Sequence, residues 1–133
     1  MNVYESAWWS VEVPPGWSAH EERECISFFR DDGVGAFQVS AHKHDSGRVP
    51  EDDLLDFTKG EFPDNLTLQS VTCGEFVGLG IEYVTDGKFW LQRWLHNGPL
   101  LLYVTYNSDA QDSPLEMDDV NQMLATLKPR RAA

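Results

Sequence analysis

Two histidines, His42 and His44, are spaced so that their side chains could share one metal ion. They alternate on a strand predicted for residues 34 to 44, so both imidazoles lie on the same side of it, and His20 or Asp45 could add a further ligand. Alternating polar residues are also the ordinary solvent face of a half-buried strand, whereas a zinc site concentrates four ligands. We therefore expect the chain to hold no metal and no cofactor.

The two cysteines are the other candidate reactive groups. Cys25 lies in an apolar strand, where a thiol usually packs as a small hydrophobic side chain, and Cys73 precedes Gly74 near a turn. Neither has a basic neighbour in the sequence that would stabilise a thiolate, and no Gly-x-Ser-x-Gly segment offers a serine nucleophile. We identify no catalytic residue, so a non-enzymatic protein is the first hypothesis. The alternative is a small-ligand-binding protein or enzyme with a pocket near His42, His44 and Cys73.

Length and composition indicate a single domain, residues 1 to 133, in a reducing compartment. A chain of this length buries enough surface to fold without a disulfide, so free thiols are expected and a Cys25–Cys73 disulfide is the lesser alternative. No positively charged segment precedes an apolar stretch near the N-terminus, and the longest apolar run, Leu100 to Val104, is too short to cross a membrane. We expect a cytoplasmic protein.

The net charge is −12, from 22 acidic and 10 basic residues. Charge of this sign repels phosphate backbones and anionic lipids, so we expect neither nucleic acid nor membrane partners. A protein partner, above all a basic one, fits the charge better. The acidity also has a simpler explanation, because net charge keeps a small aromatic-rich protein soluble. The sequence predicts no oligomeric state.

Three apolar strands between Gly80 and Tyr106 predict a β-meander. The dipeptides Asp86-Gly87 and Asn97-Gly98 separate them, and both suit two-residue turns whose central residues have positive φ. Turns of this kind fix the register. If Asn97 and Gly98 are the central residues of the second turn, Trp94 lies opposite Leu101 and Trp90 lies opposite Thr105.

Other elements follow from periodicity and from residues that start or stop helices. Alternating residues predict strands at 8–13, 24–30 and 34–44, and a further strand within 66–78. Proline at a first helical position and early carboxylates predict a short helix from Pro50 to Gly60. A longer helix is predicted to begin at Ser113-Pro114 and to end before Pro129, with apolar residues along one stripe.

Both faces of the meander are apolar, so both must be covered. We therefore predict an α+β fold in which an antiparallel sheet has helices packed on its two faces, an α/β/α sandwich, with the N-terminal strands extending the sheet. Glu82 and Arg93 lie diagonally on one face, where we expect them to form an ion pair.

The other face carries Trp90, Gln92, Trp94 and Tyr103, which we predict to be a partner-binding surface. Large aromatic rings beside an amide suit a partly hydrated protein interface. The alternative is that the C-terminal helix covers these rings.

The order of these features resembles the PsbP-like α/β/α sandwich group. The resemblance rests on Pro14, Gly16 and Trp17, on a hairpin ending near Gln38-Val39-Ser40, on the spacing from Tyr83 to Trp90, and on the terminal amphipathic helix. That group includes nuclear-import proteins, adaptor chaperones and many small bacterial proteins. The resemblance implies the sandwich fold and a protein-binding or adaptor function, and it implies no catalytic residues.

Overall fold

The computed structural model describes residues 2–31, 33–43, 58, 60, 62–63 and 66–130. In these residues the chain is mainly β, with ten strands in two antiparallel sheets and two short helices. The strands are β1 (Asn2–Glu5), β2 (Trp9–Val13), β3 (Trp17–Glu21), β4 (Ile26–Arg30), β5 (Gly35–Lys43), β6 (Gln69–Cys73), β7 (Phe76–Thr85), β8 (Lys88–Asn97), β9 (Leu100–Asp109) and β10 (Lys128–Pro129). A 3-10 helix (Ala110–Leu115) and α1 (Met117–Ala125) lie between β9 and β10.

Seven strands form the larger sheet, in the order β3-β4-β5-β9-β8-β7-β6, and three form the smaller one, in the order β1-β2-β10. The predicted meander is β7-β8-β9, and β5 joins it to the N-terminal hairpin by pairing with β9 along its whole length. Two prolines and Gly16, with φ of 91°, end β2. This break carries the chain from the smaller sheet to the edge of the larger one.

The main core lies between the two sheets. Alternate residues of β2 point inward, the larger sheet supplies most of the opposing side chains, and α1 closes one end with three apolar residues. The principal members are Trp9, Val11, Val13, Phe28, Phe37, Leu91, Leu95, Leu102, Val104, Tyr106, Val120, Met123 and Leu124. A second, smaller cluster lies on the opposite face of the larger sheet, where Phe62, Leu66 and Leu68 pack against Ile81, Trp94 and Leu101.

The predicted α/β/α sandwich is wrong. In the described residues, the smaller sheet and the nine-residue α1 cover one face of the larger sheet, and the non-helical residues 62–63 and 66–68 pack on the other. The strand predicted at 8–13 does not extend the meander, because as β2 it pairs with β1 and β10. An apolar face requires a cover, but its own sequence does not determine whether a helix or a sheet provides it. The helix predicted from Pro50 to Gly60 lies outside the described residues, apart from Thr58, which is helical and buried, and Gly60, which lies in a turn.

The register of the meander is confirmed at the first turn and wrong at the second. Tyr83 lies opposite Trp90, as the predicted two-residue turn at Asp86-Gly87 requires. Trp94, however, lies opposite Tyr103, two residues beyond Leu101, and Trp90 lies opposite Asn107. The second turn is centred on Gly98 and Pro99, with φ of 58° at the glycine. A turn centred one residue earlier would place Pro99 where the turn needs an N–H donor, and proline has none.

The predicted ion pair between Glu82 and Arg93 is present. The Arg93 side chain lies over Gly80, and its Nη2 is 2.9 Å from Oε2 of Glu82. A Cβ atom at residue 80 would approach the Arg93 Cδ to 2.7 Å, so a larger residue at this position would displace the Arg93 side chain. The guanidinium also donates to the carbonyl oxygens of Ile81 and Gln92. Arg93 is therefore buried with its charge compensated.

A second buried polar group joins α1 to the larger sheet. Glu116, at the start of α1, accepts a hydrogen bond of 2.8 Å from the Tyr106 hydroxyl and one of 3.3 Å from the Val34 N–H. Burial is the main cause that raises the pKa of Tyr106, and the Glu116 carboxylate raises it further. The apolar stripe predicted for the C-terminal helix is confirmed, since Val120, Met123 and Leu124 are buried.

Candidate functional site

The four residues of the predicted partner-binding surface lie together, but two of them are buried. Trp94 and Gln92 are each 2% exposed, whereas Trp90 and Tyr103 are half-buried. Trp94 stacks on Tyr103 with 5.4 Å between ring centroids, and Phe62 lies 6.0 Å away. Phe62, Leu66 and Leu68 lie against this face, and the C-terminal helix packs on the other one. A binding role for these four residues stays a prediction.

Gln92 belongs to a row of polar side chains that crosses four neighbouring strands. Each member of the row lies directly opposite the next one on the neighbouring strand: Ser27 on β4, Gln38 on β5, Thr105 on β9 and Gln92 on β8. The Gln38 amide donates to the Ser27 hydroxyl at 3.0 Å, and the Gln92 amide donates to the Tyr103 hydroxyl at 2.8 Å. The bond to Tyr103 provides the Gln92 amide nitrogen with an acceptor away from solvent.

The residues of the alternative pocket are not brought together. His42 is exposed. The strand pairing from β5 through β9, β8 and β7 to β6 places His42 in line with Thr72. Cys73, the next residue after Thr72, therefore points to the opposite face and into the main core. His44 lies outside the described residues. Among the residues that the structure describes, no three His, Cys, Asp or Glu side chains are grouped to hold a metal ion.

Neither thiol is activated. Burial raises the pKa of Cys73, and the nearby Arg93 guanidinium opposes this effect without overcoming it. Burial also raises the pKa of Cys25, whose Sγ lies 3.3 Å from the Glu22 carboxylate. Arg93 was not recognisable from the sequence as a neighbour of Cys73, because it lies two strands away and reaches across Gly80.

A cleft of about 370 Å³ opens at one end of the space between the two sheets, and we call it the Trp8 cleft. Its apolar wall comes from β2, β4 and β5 and its rim from the β1–β2 and β3–β4 turns. It is lined by Ser6, Ala7, Trp8, Trp9, Glu22, Arg23, Glu24, Cys25, Ile26, Val39 and Ala41. Its size lies at the small end of the range for ligand pockets, which begins at roughly 300 Å³.

The turn that carries Trp8 is held from two sides. The Ser6 hydroxyl accepts hydrogen bonds from the N–H groups of Trp8 and Trp9, at 3.3 and 3.2 Å. On the outside, Arg130 donates from its backbone N–H to the Trp8 carbonyl at 2.8 Å and from Nη1 to the Ser6 carbonyl at 2.7 Å. Arg130 also forms an ion pair with Glu5, at 3.2 Å. The position of Trp8 is therefore set by the backbone of a short, well-anchored turn.

Trp8 itself is 37% exposed, the largest value among the five tryptophans. The Lys43 ammonium lies 5.0 Å from its ring centroid, within the range of a cation–π contact. The sequence contained one signal for this exposure. Trp9, Val11 and Val13 alternate toward the core, so Trp8 falls on the side of Ser10 and Glu12.

Comparisons with known proteins show the fold alone. No protein-family model matches the chain, and no curated protein matches it significantly. A solved structure of a protein from Bacteroides thetaiotaomicron aligns with a TM-score of 0.67 and 19% identity, over 94% of this chain and 46% of that one. The present chain thus spans less than half the length of the Bacteroides protein.

Two further structures are similar in fold. LpqN of Mycobacterium tuberculosis, a protein involved in cell envelope biogenesis, aligns with a TM-score of 0.60 and 18% identity over 92% of this chain and 83% of LpqN. PA94 of Pseudomonas aeruginosa aligns with a TM-score of 0.51 and 16% identity, over 87% of this chain and 99% of that one. None of these comparisons links the chain to the PsbP-like group. No helix in the described residues has the length and apolar character to span a bilayer.

Proposed function

We propose that the protein is a non-enzymatic protein-binding module, and that the Trp8 cleft receives an apolar side chain from a basic segment of its partner. One observation carries the proposal: an exposed tryptophan stands on a rigid turn at the rim of an open, apolar-walled cleft. Tryptophan is among the residues that contribute most to binding energy in protein interfaces. A side chain whose backbone is already ordered loses less conformational freedom when a partner binds.

The depth and wall of the cleft indicate what it can hold. Ile26 and Val39 lie directly opposite each other on β4 and β5, and Ala41, with its small side chain, leaves the space between them and Trp8 unfilled. Its one thiol, Cys25, lies 3.3 Å from the Glu22 carboxylate, and burial together with that carboxylate raises the thiol pKa, so this pair disfavours the thiolate. Apolar contact is the interaction that this wall offers.

The preference for a basic partner rests on charge. Glu22 and Glu24 lie on the rim, with Arg23 between them, and the whole chain carries −12. The net charge is the larger effect, because it acts on an approaching partner over about 8 to 10 Å at moderate ionic strength. Binding should therefore weaken as salt concentration rises.

Two probes separate protein binding from small-ligand binding. One is the neutral fluorophore N-phenyl-1-naphthylamine, and the other is the tripeptide acetyl-Lys-Leu-Lys-amide, with acetyl-Glu-Leu-Glu-amide as its control. We expect the basic peptide to shift the NMR signals of the Trp8 indole and the Ala41 methyl group, and the acidic peptide to shift them much less. Tight fluorophore binding without any peptide effect would favour the small-ligand alternative.

Filling the cleft tests its role directly. Ala41→Phe should weaken peptide binding about ten-fold or more, which corresponds to about 1.4 kcal/mol. Val84→Ala, a change of an exposed apolar residue at the far end of β7, is the matched control and should leave binding unchanged. Equal binding by both variants would refute the assignment of the site to the Trp8 cleft.

A further inference from the structure

The outer strands of the two sheets differ in how they are protected against pairing with another chain. Natural sheets usually place charged residues or proline on outer strands, because an unprotected edge offers free backbone groups to any extended segment. Of the four outer strands in the described residues, β1 carries Glu5, β3 carries Glu21, and β10 carries Lys128 and Pro129. Strand β6, Gln-Ser-Val-Thr-Cys, has no charged residue and no proline.

The hydrogen-bond pattern of β6 leaves four backbone groups facing outward. Cys73 and Phe76 flank the two-residue turn Gly74-Glu75, in which Gly74 has φ of 60°. In such a hairpin the two residues that flank the turn are hydrogen-bonded to each other through their backbones. From there, hydrogen-bonded and non-hydrogen-bonded residue pairs alternate along the two strands. Ser70 and Thr72 therefore direct their N–H and C=O groups away from β7, and both residues are exposed.

The charge of the protein favours a different chain over a second copy at this edge. Two copies would each carry −12 and would repel each other. Close to the end of β6, Glu75 and Glu12 line a separate cleft of about 340 Å³ in which Lys128 is the basic residue. A basic side chain at this point would meet two carboxylates and would share them with Lys128.

We propose that the outer edge of β6 accepts an extended segment of a partner protein as an additional strand, with a lysine or arginine of that segment beside Glu75 and Glu12. Backbone hydrogen bonds to Ser70 and Thr72 provide the attachment, as in other cases of strand addition to a sheet edge. The basic residue provides the specificity. This site is separate from the Trp8 cleft, so each can fail without the other.

The test uses the intact protein and a synthetic peptide, acetyl-Lys-Val-Thr-Val-Thr-Val-Lys-amide. Amide hydrogen exchange measured by NMR should slow about ten-fold or more at Ser70 and Thr72 when the peptide is added, because new hydrogen bonds must open before exchange. The same peptide with glutamate in place of lysine should protect them much less. Trp8→Ala should leave this protection unchanged.

Matched proline variants test the edge itself. Thr72→Pro removes an outward N–H, and Ala19→Pro removes the equivalent outward N–H on β3, so only the first should abolish peptide binding. If Thr72→Pro does not fold, Glu75→Lys should weaken binding while Glu24→Lys, on the β3–β4 turn, should not. Protection at Ala19, or no protection anywhere, would overturn the proposal. Protection of β6 without peptide, accompanied by a dimer in analytical ultracentrifugation, would overturn it in favour of a second copy.

Discussion

Trp94 and Trp8 are the same residue type in two regions with opposite surroundings. Trp94 lies in mid-strand on β8, where Tyr103 of the neighbouring strand stacks on it and Phe62 covers it. Trp8 lies outside the strands, on a turn that Ser6 and Arg130 hold in place, and the Lys43 ammonium lies over its ring. The comparison shows that backbone position and cross-strand neighbours, more than residue type, determine whether an aromatic residue stabilises the fold or remains accessible.

The largest expected effect is on the buried member of this pair. Trp94→Ala should lower the free energy of unfolding by about 3–5 kcal/mol, because it removes a fully buried ring and leaves a cavity beside Tyr103 and Phe62. Urea denaturation followed by circular dichroism measures the change. A loss below about 1 kcal/mol would mean that the ring is accessible in solution, and would support the predicted binding surface there.

Two tyrosines extend the comparison to hydrogen bonds, since each donates to a glutamate. Tyr106 donates to Glu116 inside the protein, whereas Tyr4 donates to Glu21 at the surface, at 2.8 and 2.9 Å. Tyr106→Phe should cost about 1–3 kcal/mol, because Glu116 stays buried without its donor. Tyr4→Phe should cost clearly less, because water replaces the hydroxyl at Glu21.

The pH dependence of unfolding tests the burial of the Tyr106 hydroxyl. The raised pKa of Tyr106 means that the folded protein holds this proton more tightly than the unfolded chain does. The Tyr106 hydroxyl therefore contributes fully to the free energy of unfolding below the ordinary tyrosine pKa of 10.0. This contribution is lost as the pH rises toward the raised pKa. The stability difference between wild type and Tyr106→Phe should shrink above about pH 10. A difference that stays constant up to pH 12 would contradict the burial of this hydroxyl.

The sequence predicted which residues share a face of the meander, even though it placed the second turn wrongly. Moving the centre of the turn from Asn97-Gly98 to Gly98-Pro99 shifts each cross-strand partner by two residues, and two is the period of side-chain direction in a strand. Face membership is therefore unaffected by this error. Pro99 was the overlooked signal, because its missing N–H excludes the earlier turn.

The sequence could not predict which elements pack on the two faces of the meander. Strand β10 has two residues and β1 has four, and neither has a pattern long enough to indicate a partner strand. The pairing of β10 with β2 depends on contacts between residues more than 100 positions apart, such as Ser10 with Lys128. The approach of Arg93 to Cys73 likewise depends on the register of two strand pairs and on the missing side chain of Gly80.

The smallest expected effect is on the exposed tryptophan. Trp8→Phe should change the free energy of unfolding by less than about 1 kcal/mol, since it keeps an aromatic ring beside Lys43 and leaves the hydrogen bonds of the turn intact. Its effect on accessibility should nevertheless be large. Acrylamide quenches the fluorescence of exposed indoles, so Trp8→Phe should remove the most easily quenched part of the emission.

Trp94→Phe is the matched control for this measurement, because it removes an indole that is 2% exposed. It should leave the easily quenched component in place while lowering stability. If Trp8→Phe left the quenching unchanged, the Trp8 ring would be covered in solution and could not serve as an anchor for a partner. If both variants destabilised the protein equally, the distinction between a stabilising and an accessible tryptophan would fail.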